Sequence, residues 1–182
     1  MKSLVAYFTQ TNNTKMIAEA IHEVLSNHHE VDVDTVRRID FDSLGEYDLL
    51  FVGGPCHDSD IVPAVKRFLE KLPKSPKFKL AGFFTHSTNM PDGTKRNEEL
   101  FTQWAGRCIP TFETVCKDKD IELLGIFHCQ GKASEPLEVF IRQQIITDDD
   151  EWAVYLPEVR NHPSSNDIEN AKKFAQEVLE KL

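Results

Sequence analysis

The sequence lacks an apolar run near the roughly 20 residues that cross a membrane, so no transmembrane helix is predicted. A secretory leader is not predicted either. The first apolar run, residues 4–8, is too short for the hydrophobic part of a leader, and no small-residue cleavage site follows it. We therefore expect a cytoplasmic protein.

Cysteine is sparse and carries no recognisable pattern. Cys56, Cys108, Cys116 and Cys129 include no C-x-x-C pair and no Cys/His spacing of zinc type, so no metal site is predicted. A chain of 182 residues buries enough core to need no disulfide staple. We expect free thiols in a reducing compartment.

Positive charge is outnumbered, with 21 Lys and Arg against 30 Asp and Glu and a net charge of −9. Such a field repels nucleic acid and an anionic membrane surface, and it attracts a protein partner that carries a basic docking patch. The acidic run 148–151 is interpreted as solvated surface, with docking to a basic partner as the alternative.

Strand-like runs alternate with amphipathic helical patterns along the chain. Strands are predicted at 4–8, 31–36, 47–52, 78–84 and 121–127. Helices are predicted at 15–28, 65–72, 97–109 with a break or kink at Pro110, and 167–182 with Asn166 as N-cap. Because parallel strands need helical crossovers, this alternation predicts an α/β fold in which one doubly wound parallel sheet is covered by helices on both faces.

No linker or repeat divides the chain, so we predict a single domain over residues 1–182. The segment 129–163 follows the fifth predicted strand and is about as long as a full strand–helix unit. It is interpreted as an elaboration at one edge, with a short helix marked by Leu137, Phe140 and Ile141.

A polar loop follows the first predicted strand, where open α/β sheets bind ligands. It consists of Thr9, Gln10, Thr11, Asn12, Asn13 and Thr14. Hydroxyl groups and the free N–H groups of a helix start can cradle a phosphate monoester. The loop has no lysine and no G-x-G-x-x-G pattern, which disfavours a P-loop nucleotidase and a dinucleotide site. The alternative is that these residues merely cap a helix.

This loop resembles the phosphate loop of the flavodoxin family, whose pattern is [ST]-x-T-[GN]-x-T. The resemblance continues at 47–55 (YDLLFVGGP), at 124–131 (LGIFHCQG) and at His162-Pro163 before the last helix. It implies a three-layer sandwich with strand order 2-1-3-4-5 and FMN as the cofactor. The threonine hydroxyls and the N–H groups from Gln10 to Asn13 would then hold the FMN phosphate. Asn12 replaces a frequent glycine and tolerates left-handed geometry.

The resemblance also implies two loops that flank the flavin ring, and both depart from the family pattern. They supply Pro55, Cys56, His57 and Asp58 after the third strand, and Thr85, His86, Ser87, Thr88 and Asn89 after the fourth. Neither loop has the usual Trp or Tyr. We therefore expect a more open ring site, weaker FMN binding and a less negative potential. His57 and His86 are candidate proton donors or acceptors, or else plain exposed loop residues.

The function that the resemblance implies is an FMN-binding electron carrier that serves redox protein partners. The alternative is a flavodoxin-fold oxidoreductase that passes electrons from NAD(P)H to a quinone. A third interpretation is an interaction module that has lost FMN, which the three retained threonines disfavour. A phosphorelay receiver is disfavoured because Thr9 and Gln10 stand where its acidic residues would be. A homodimer is left open.

Overall fold

The computed structural model describes residues 1–182, and a parallel sheet forms its centre. The strands are β1 (Lys2–Tyr7), β2 (Glu30–Thr35), β3 (Leu49–His57), β4 (Asp60–Ile61), β5 (Lys79–His86) and β6 (Leu123–Gln130). Five of them run parallel in the order β2-β1-β3-β5-β6, and the two-residue β4 pairs antiparallel with the end of β3. The parallel strands alone thus follow the predicted order 2-1-3-4-5, so the fold class is confirmed.

Helices cover both faces of the sheet and complete three layers. They are α1 (Asn13–Ser26), α2 (Pro63–Lys71), α3 (Lys95–Ala105), α4 (Cys108–Lys119), α5 (Glu135–Gln144), α6 (Asp149–Arg160) and α7 (Ser165–Leu179), with a 3-10 helix at Phe41–Glu46. One core joins α1 and α7 to the sheet through Ile17, Ile21 and Ala171. The other joins α2 and α4 to the opposite face through Phe68 and Phe112. No helix combines the length and apolarity that a membrane crossing needs.

Three strands run further than the sequence predicted. The predicted ends at residues 52, 84 and 127 are wrong, because β3 continues to His57, β5 to His86 and β6 to Gln130. Cross-strand pairing explains these extensions, since His57 pairs with Asp60 of β4 and His86 pairs with Gln130 of β6. The residues predicted to lie in the two ring loops therefore begin on rigid strand ends.

Two predicted helix boundaries are also wrong. The break after α3 falls at Gly106 and Arg107, and Pro110 lies in the first turn of α4, where a missing N–H costs nothing. A side chain at Gly106 would place its Cβ 2.3 Å from the Thr102 carbonyl oxygen. The N-cap of α7 is Ser164 instead of Asn166, and it forms a capping box with Asp167.

The elaboration after β6 contains two helices, α5 and α6, where the sequence predicted one. Residues 129 and 130 belong to β6, and α6 takes in most of the acidic run and ends at Arg160. The two helices share a small core made of Ala133, Ile141, Ile146, Tyr155 and Val159. The Tyr155 hydroxyl donates to the Ser87 carbonyl, so the elaboration lies over the loop after β5.

Candidate functional site

The turn between β1 and α1 keeps its backbone N–H groups available. Asn12 adopts a left-handed conformation, with φ at 65°, and occupies the N-cap position of α1. Its side chain makes no capping hydrogen bond. The interpretation of this loop as a mere helix cap therefore loses its main support. The positive end of the helix dipole faces outward from this turn and favours an anion there.

The three threonine hydroxyls of this loop have different surroundings. The Thr9 hydroxyl oxygen is buried without a hydrogen-bond partner, which is costly unless a ligand supplies one. The Thr14 hydroxyl lies 2.9 Å from that of Thr85 on β5. The Thr11 hydroxyl accepts from the Asn13 side chain at 3.0 Å. A phosphate oxygen would accept a hydrogen bond from the Thr9 hydroxyl, and another would extend the hydrogen-bonded pair of Thr14 and Thr85.

The end of β3 carries the first predicted ring segment. Pro55 and Cys56 are half-buried and His57 is exposed at the strand end. Asp58 and Ser59 then make a tight turn with φ values of 50° and 68°, which returns the chain into β4. The Cys56 thiol donates to the carbonyl of Trp104 at 3.2 Å, which fixes this strand end against α3. All four cysteines are free, as predicted.

The end of β5 carries the second ring segment, and it places His86 inside the protein. His86 is 4% exposed, so its interpretation as an exposed loop residue is wrong. Its Nδ1 lies 3.1 Å from the Thr88 carbonyl, which can only accept, so Nδ1 carries the hydrogen. Its Nε2, 3.2 Å from Nδ1 of His128, then accepts from that nitrogen. Burial lowers the pKa of His86 to about 3, so the ring stays neutral at pH 7.

His128 lies near the end of β6 and packs among aromatic rings. It stacks on Phe84 with ring centroids 5.0 Å apart and on Phe101 at 4.9 Å. Burial lowers the pKa of His128 as well. The two histidines therefore form a neutral, hydrogen-bonded pair in an aromatic surround.

A cleft of about 470 Å³ brings the predicted phosphate loop and both ring segments together. Its lining includes, from the predicted set, Gln10, Thr11, Asn13, Pro55, Cys56, His57, Thr85, His86 and Ser87. The remaining wall, which the sequence did not indicate as part of the site, is Gly131, Lys132, Ala133, Ser134 and Leu137. Thr9, Asn12 and Thr14 do not line this cleft. They belong to the turn at one end of the cleft, beside Gln10, Thr11 and Asn13, which do line it.

A second cleft of about 700 Å³ lies between the two ring segments and shares Cys56, His86, Ser87 and Leu137 with the first. Asp58, Ser59, Thr88 and Asn89 form its polar side. Helices α3, α5 and α6 and the turn after α5 form its apolar side with Leu100, Trp104, Phe140, Ile141, Ile145, Ile146 and Tyr155. Two adjoining clefts, one polar and one apolar, suit a ligand with a phosphate at one end and a flat ring at the other.

The second cleft has aromatic residues on its apolar side, and the expectation of a more open ring site stays a prediction. Trp104 and Phe140 meet edge to face at its rim with centroids 5.8 Å apart, so aromatic side chains come from helices instead of from the loops. The sequence indicated an elaboration at residues 129–163 but gave it no role. Its packing shows that helices α5 and α6 of this segment line one side of the cleft.

The acidic run at the start of α6 is exposed at Asp148, Asp149 and Asp150, in agreement with its interpretation as solvated surface, and several of its carboxylates also make local contacts. Asp148 caps the helix by accepting from the Glu151 N–H at 2.8 Å. Asp149 pairs with Arg142, and Glu151 pairs with Arg96 at 3.1 Å. These contacts explain the run by helix capping and local pairing, so partner docking is not needed to account for it. No group of His, Cys, Asp and Glu in the described chain could hold a metal ion.

The doubly wound sheet, with a polar turn after β1 and two strand-end segments around one cleft, has the arrangement in which open α/β sheets place a ligand site at the switch point. A model of the flavodoxin domain matches residues 4–176. The chain belongs to the flavodoxin domain family, as the sequence predicted.

Individual relatives agree with this assignment. The chain is 28% identical over 192 residues to the flavodoxin-like domain-containing protein BilS of Clostridioides difficile, and the match covers 98% of this chain and 97% of BilS. It superposes on oxidised flavodoxin 2 of Bacillus cereus with a TM-score of 0.65 and 19% identity, over all of both chains. It also superposes on a Fusobacterium nucleatum flavodoxin bound to flavin mononucleotide, with a TM-score of 0.61, 10% identity, and coverage of 100% and 99%.

Proposed function

We propose that this protein binds FMN and works as an electron-transfer protein of flavodoxin type. The observation that carries the proposal is the 470 Å³ cleft, because it joins the turn after β1 to both strand-end segments and continues into a second, apolar cleft. The unpartnered Thr9 hydroxyl at this turn is what a missing phosphate oxygen would leave behind.

In the proposed complex, the turn after β1 holds the phosphate. Hydroxyls of Thr9, Thr11 and Thr14 and the N–H groups from Gln10 to Asn13 donate to its oxygens. The uncapped N-terminus of α1 adds a favourable dipole. Thr85 keeps the Thr14 hydroxyl in place through their 2.9 Å contact.

The flavin ring would lie between the segments 55–59 and 86–89, against the apolar side formed by Trp104 and Phe140. FMN supplies the electron chemistry when it is bound, and the chain supplies position and electrostatics. The walls exclude water from one side of the ring. Neutral His86 brings no positive charge to the site, and the net charge of −9 disfavours added negative charge on a reduced ring.

The proposed partners are larger redox proteins that dock through a basic patch, because opposite charge speeds encounter. The overall acidity of the chain supports this part of the proposal. A cytoplasmic location stays a prediction, and the four free thiols agree with it.

Cofactor content tests the proposal directly. The purified protein should be yellow, and the flavin released on denaturation should be FMN in a ratio near one per chain. If the protein is colourless, FMN titrated into it should quench flavin fluorescence to a one-to-one endpoint. A colourless protein that gives no quenching at excess FMN would refute the proposal.

A second candidate function is a flavodoxin-fold oxidoreductase that uses NAD(P)H and a quinone. The apolar cleft favours it, since walls such as Leu100, Phe140 and Ile141 suit a flat small molecule better than a protein surface. Steady-state oxidation of NAD(P)H with an added quinone separates the two functions. A carrier without its reductase should show almost no turnover, whereas the oxidoreductase should show saturable turnover.

A further inference from the structure

Lys132 lies beside the turn after β1, although 119 positions separate it from Asn13 in the sequence. The Asn13 side-chain nitrogen donates to the Lys132 carbonyl at 2.9 Å and to the Thr11 hydroxyl at 3.0 Å. The preceding residue, Gly131, packs so closely that a Cβ there would stand 2.7 Å from the same nitrogen. The backbone of Lys132 is therefore held at a fixed place against the proposed phosphate site.

The Lys132 ammonium has no ion pair or hydrogen bond in the structure, and the side chain is exposed. Lys132 and Thr11 line both the 470 Å³ cleft and a neighbouring polar cleft, which also contains Glu135, Glu138 and Arg160. Arg160 donates twice to Glu138, at 2.9 and 2.6 Å, and the charge of Lys132 acts on Glu138 more weakly, without a direct contact. Glu135 is the remaining carboxylate of this cleft. A phosphate dianion carries twice the charge of Glu135 and therefore attracts the Lys132 ammonium more strongly at the same distance.

We propose that Lys132 adds a positive charge to the otherwise uncharged phosphate site and increases the preference of the protein for FMN over riboflavin. This inference rests on the proposed binding of FMN. An ammonium on a flexible stem can approach the outer phosphate oxygens while the hydroxyl and N–H groups hold the inner ones. Because Lys132 is exposed, its contribution is modest and is screened by salt.

The test compares the dissociation constants of FMN and riboflavin for the apoprotein and its K132Q variant, at low and high NaCl. K132Q should bind FMN about fivefold more weakly at low salt. The difference should shrink at high salt, and riboflavin binding should stay the same. K132R keeps the charge and should retain most of the FMN affinity. K117Q removes an exposed lysine of α4 that lies outside both clefts, and it should match the parent with either ligand.

The inference is overturned if K132Q binds FMN as tightly as the parent at low salt, or if K132Q loses affinity for riboflavin and FMN equally. Thermal unfolding of each apoprotein checks that the fold is kept, and K132R preserves the charge test if K132Q is unstable. Failure of the parent protein itself to bind FMN has a different meaning. It refutes the proposed function, and the inference about Lys132 falls with it.

Discussion

Gly131→Ala should weaken FMN binding by acting on the side chain of Asn13. A Cβ at residue 131 would stand 2.7 Å from Nδ2 of Asn13 and 3.0 Å from its Cβ and Cγ. Asn13 begins α1, and its Cβ cannot retreat without moving the helix start. The side-chain amide must therefore turn away from the added methyl group.

The expected magnitude follows from the bonds that this movement breaks. Asn13 would lose its donations to Thr11 and to the Lys132 carbonyl, at 3.0 and 2.9 Å. Each such bond is worth about 0.5–1.5 kcal/mol net, so about 1–3 kcal/mol of ordering in the phosphate turn is at stake. If that ordering is needed for FMN binding, the dissociation constant rises by about five- to a hundredfold.

Titration of the apoprotein with FMN, followed by flavin fluorescence, measures this loss. Gly45→Ala is the matched control, because a Cβ at Gly45 meets nothing within 4 Å. In an Asn13→Ala background, G131A should cost less, since only the 3.0 Å contact with the Asn13 Cβ remains. FMN affinity within twofold of the parent for G131A would refute the reasoning that Asn13 orders the turn.

Three further predictions concern single side chains, and Thr14→Val serves as the contrast to the first of them. Thr9→Val should leave the unfolding free energy of the apoprotein unchanged or slightly raised, because the hydroxyl has no partner within the protein, while FMN affinity falls about tenfold. By contrast, Thr14→Val should destabilise the apoprotein by about 1 kcal/mol in urea unfolding, because it loses its hydroxyl contact with Thr85. Hydrogen bonds from Arg160 lower the pKa of Glu138, so this ion pair stabilises the fold above the ordinary pKa of 4.5, and the stabilisation is lost as the pH falls through the lower folded pKa. In Glu138→Gln, the unfolding free energy measured with urea should therefore depend less on pH below about 4.5. Burial lowers the pKa of His86 to about 3, so the unfolded chain takes up the proton first, and stability should fall as the pH drops from 6.5 towards 3; His86→Gln should make that fall shallower.

Each of these predictions has an outcome that contradicts it. Thr9→Val with unchanged FMN affinity would mean that the buried hydroxyl is not a phosphate donor. Parallel stability profiles for the parent and Glu138→Gln below pH 4.5 would show that the pair with Arg160 adds nothing. A His86→Gln profile as steep as that of the parent between pH 6.5 and 5 would assign the acid sensitivity to other buried histidines, such as His128.

Local patterns were enough to predict the layers of the fold. Apolar runs such as 4–8 and 47–52 marked central strands, because a parallel strand is buried on both faces and has no polar side to alternate. The polar turn after β1 could also be located from the sequence, because strand order sets the switch point of such a sheet and ligands bind there. Boundaries were less accurate. Pairing with β4 and β6 extends β3 and β5, and no local signal encodes a pairing partner.

The sequence by itself therefore determined the doubly wound sheet and the threonine turn, since both depend on periodicity and on residues adjacent in the chain. Tertiary structure alone decided what surrounds that turn. It buried His86 against His128, brought Lys132 to Asn13, and laid Trp104 and Phe140 along one cleft. These contacts join residues that lie far apart in the chain: β5 pairs with β6, the chain after β6 returns to the start of α1, and α3 meets α5.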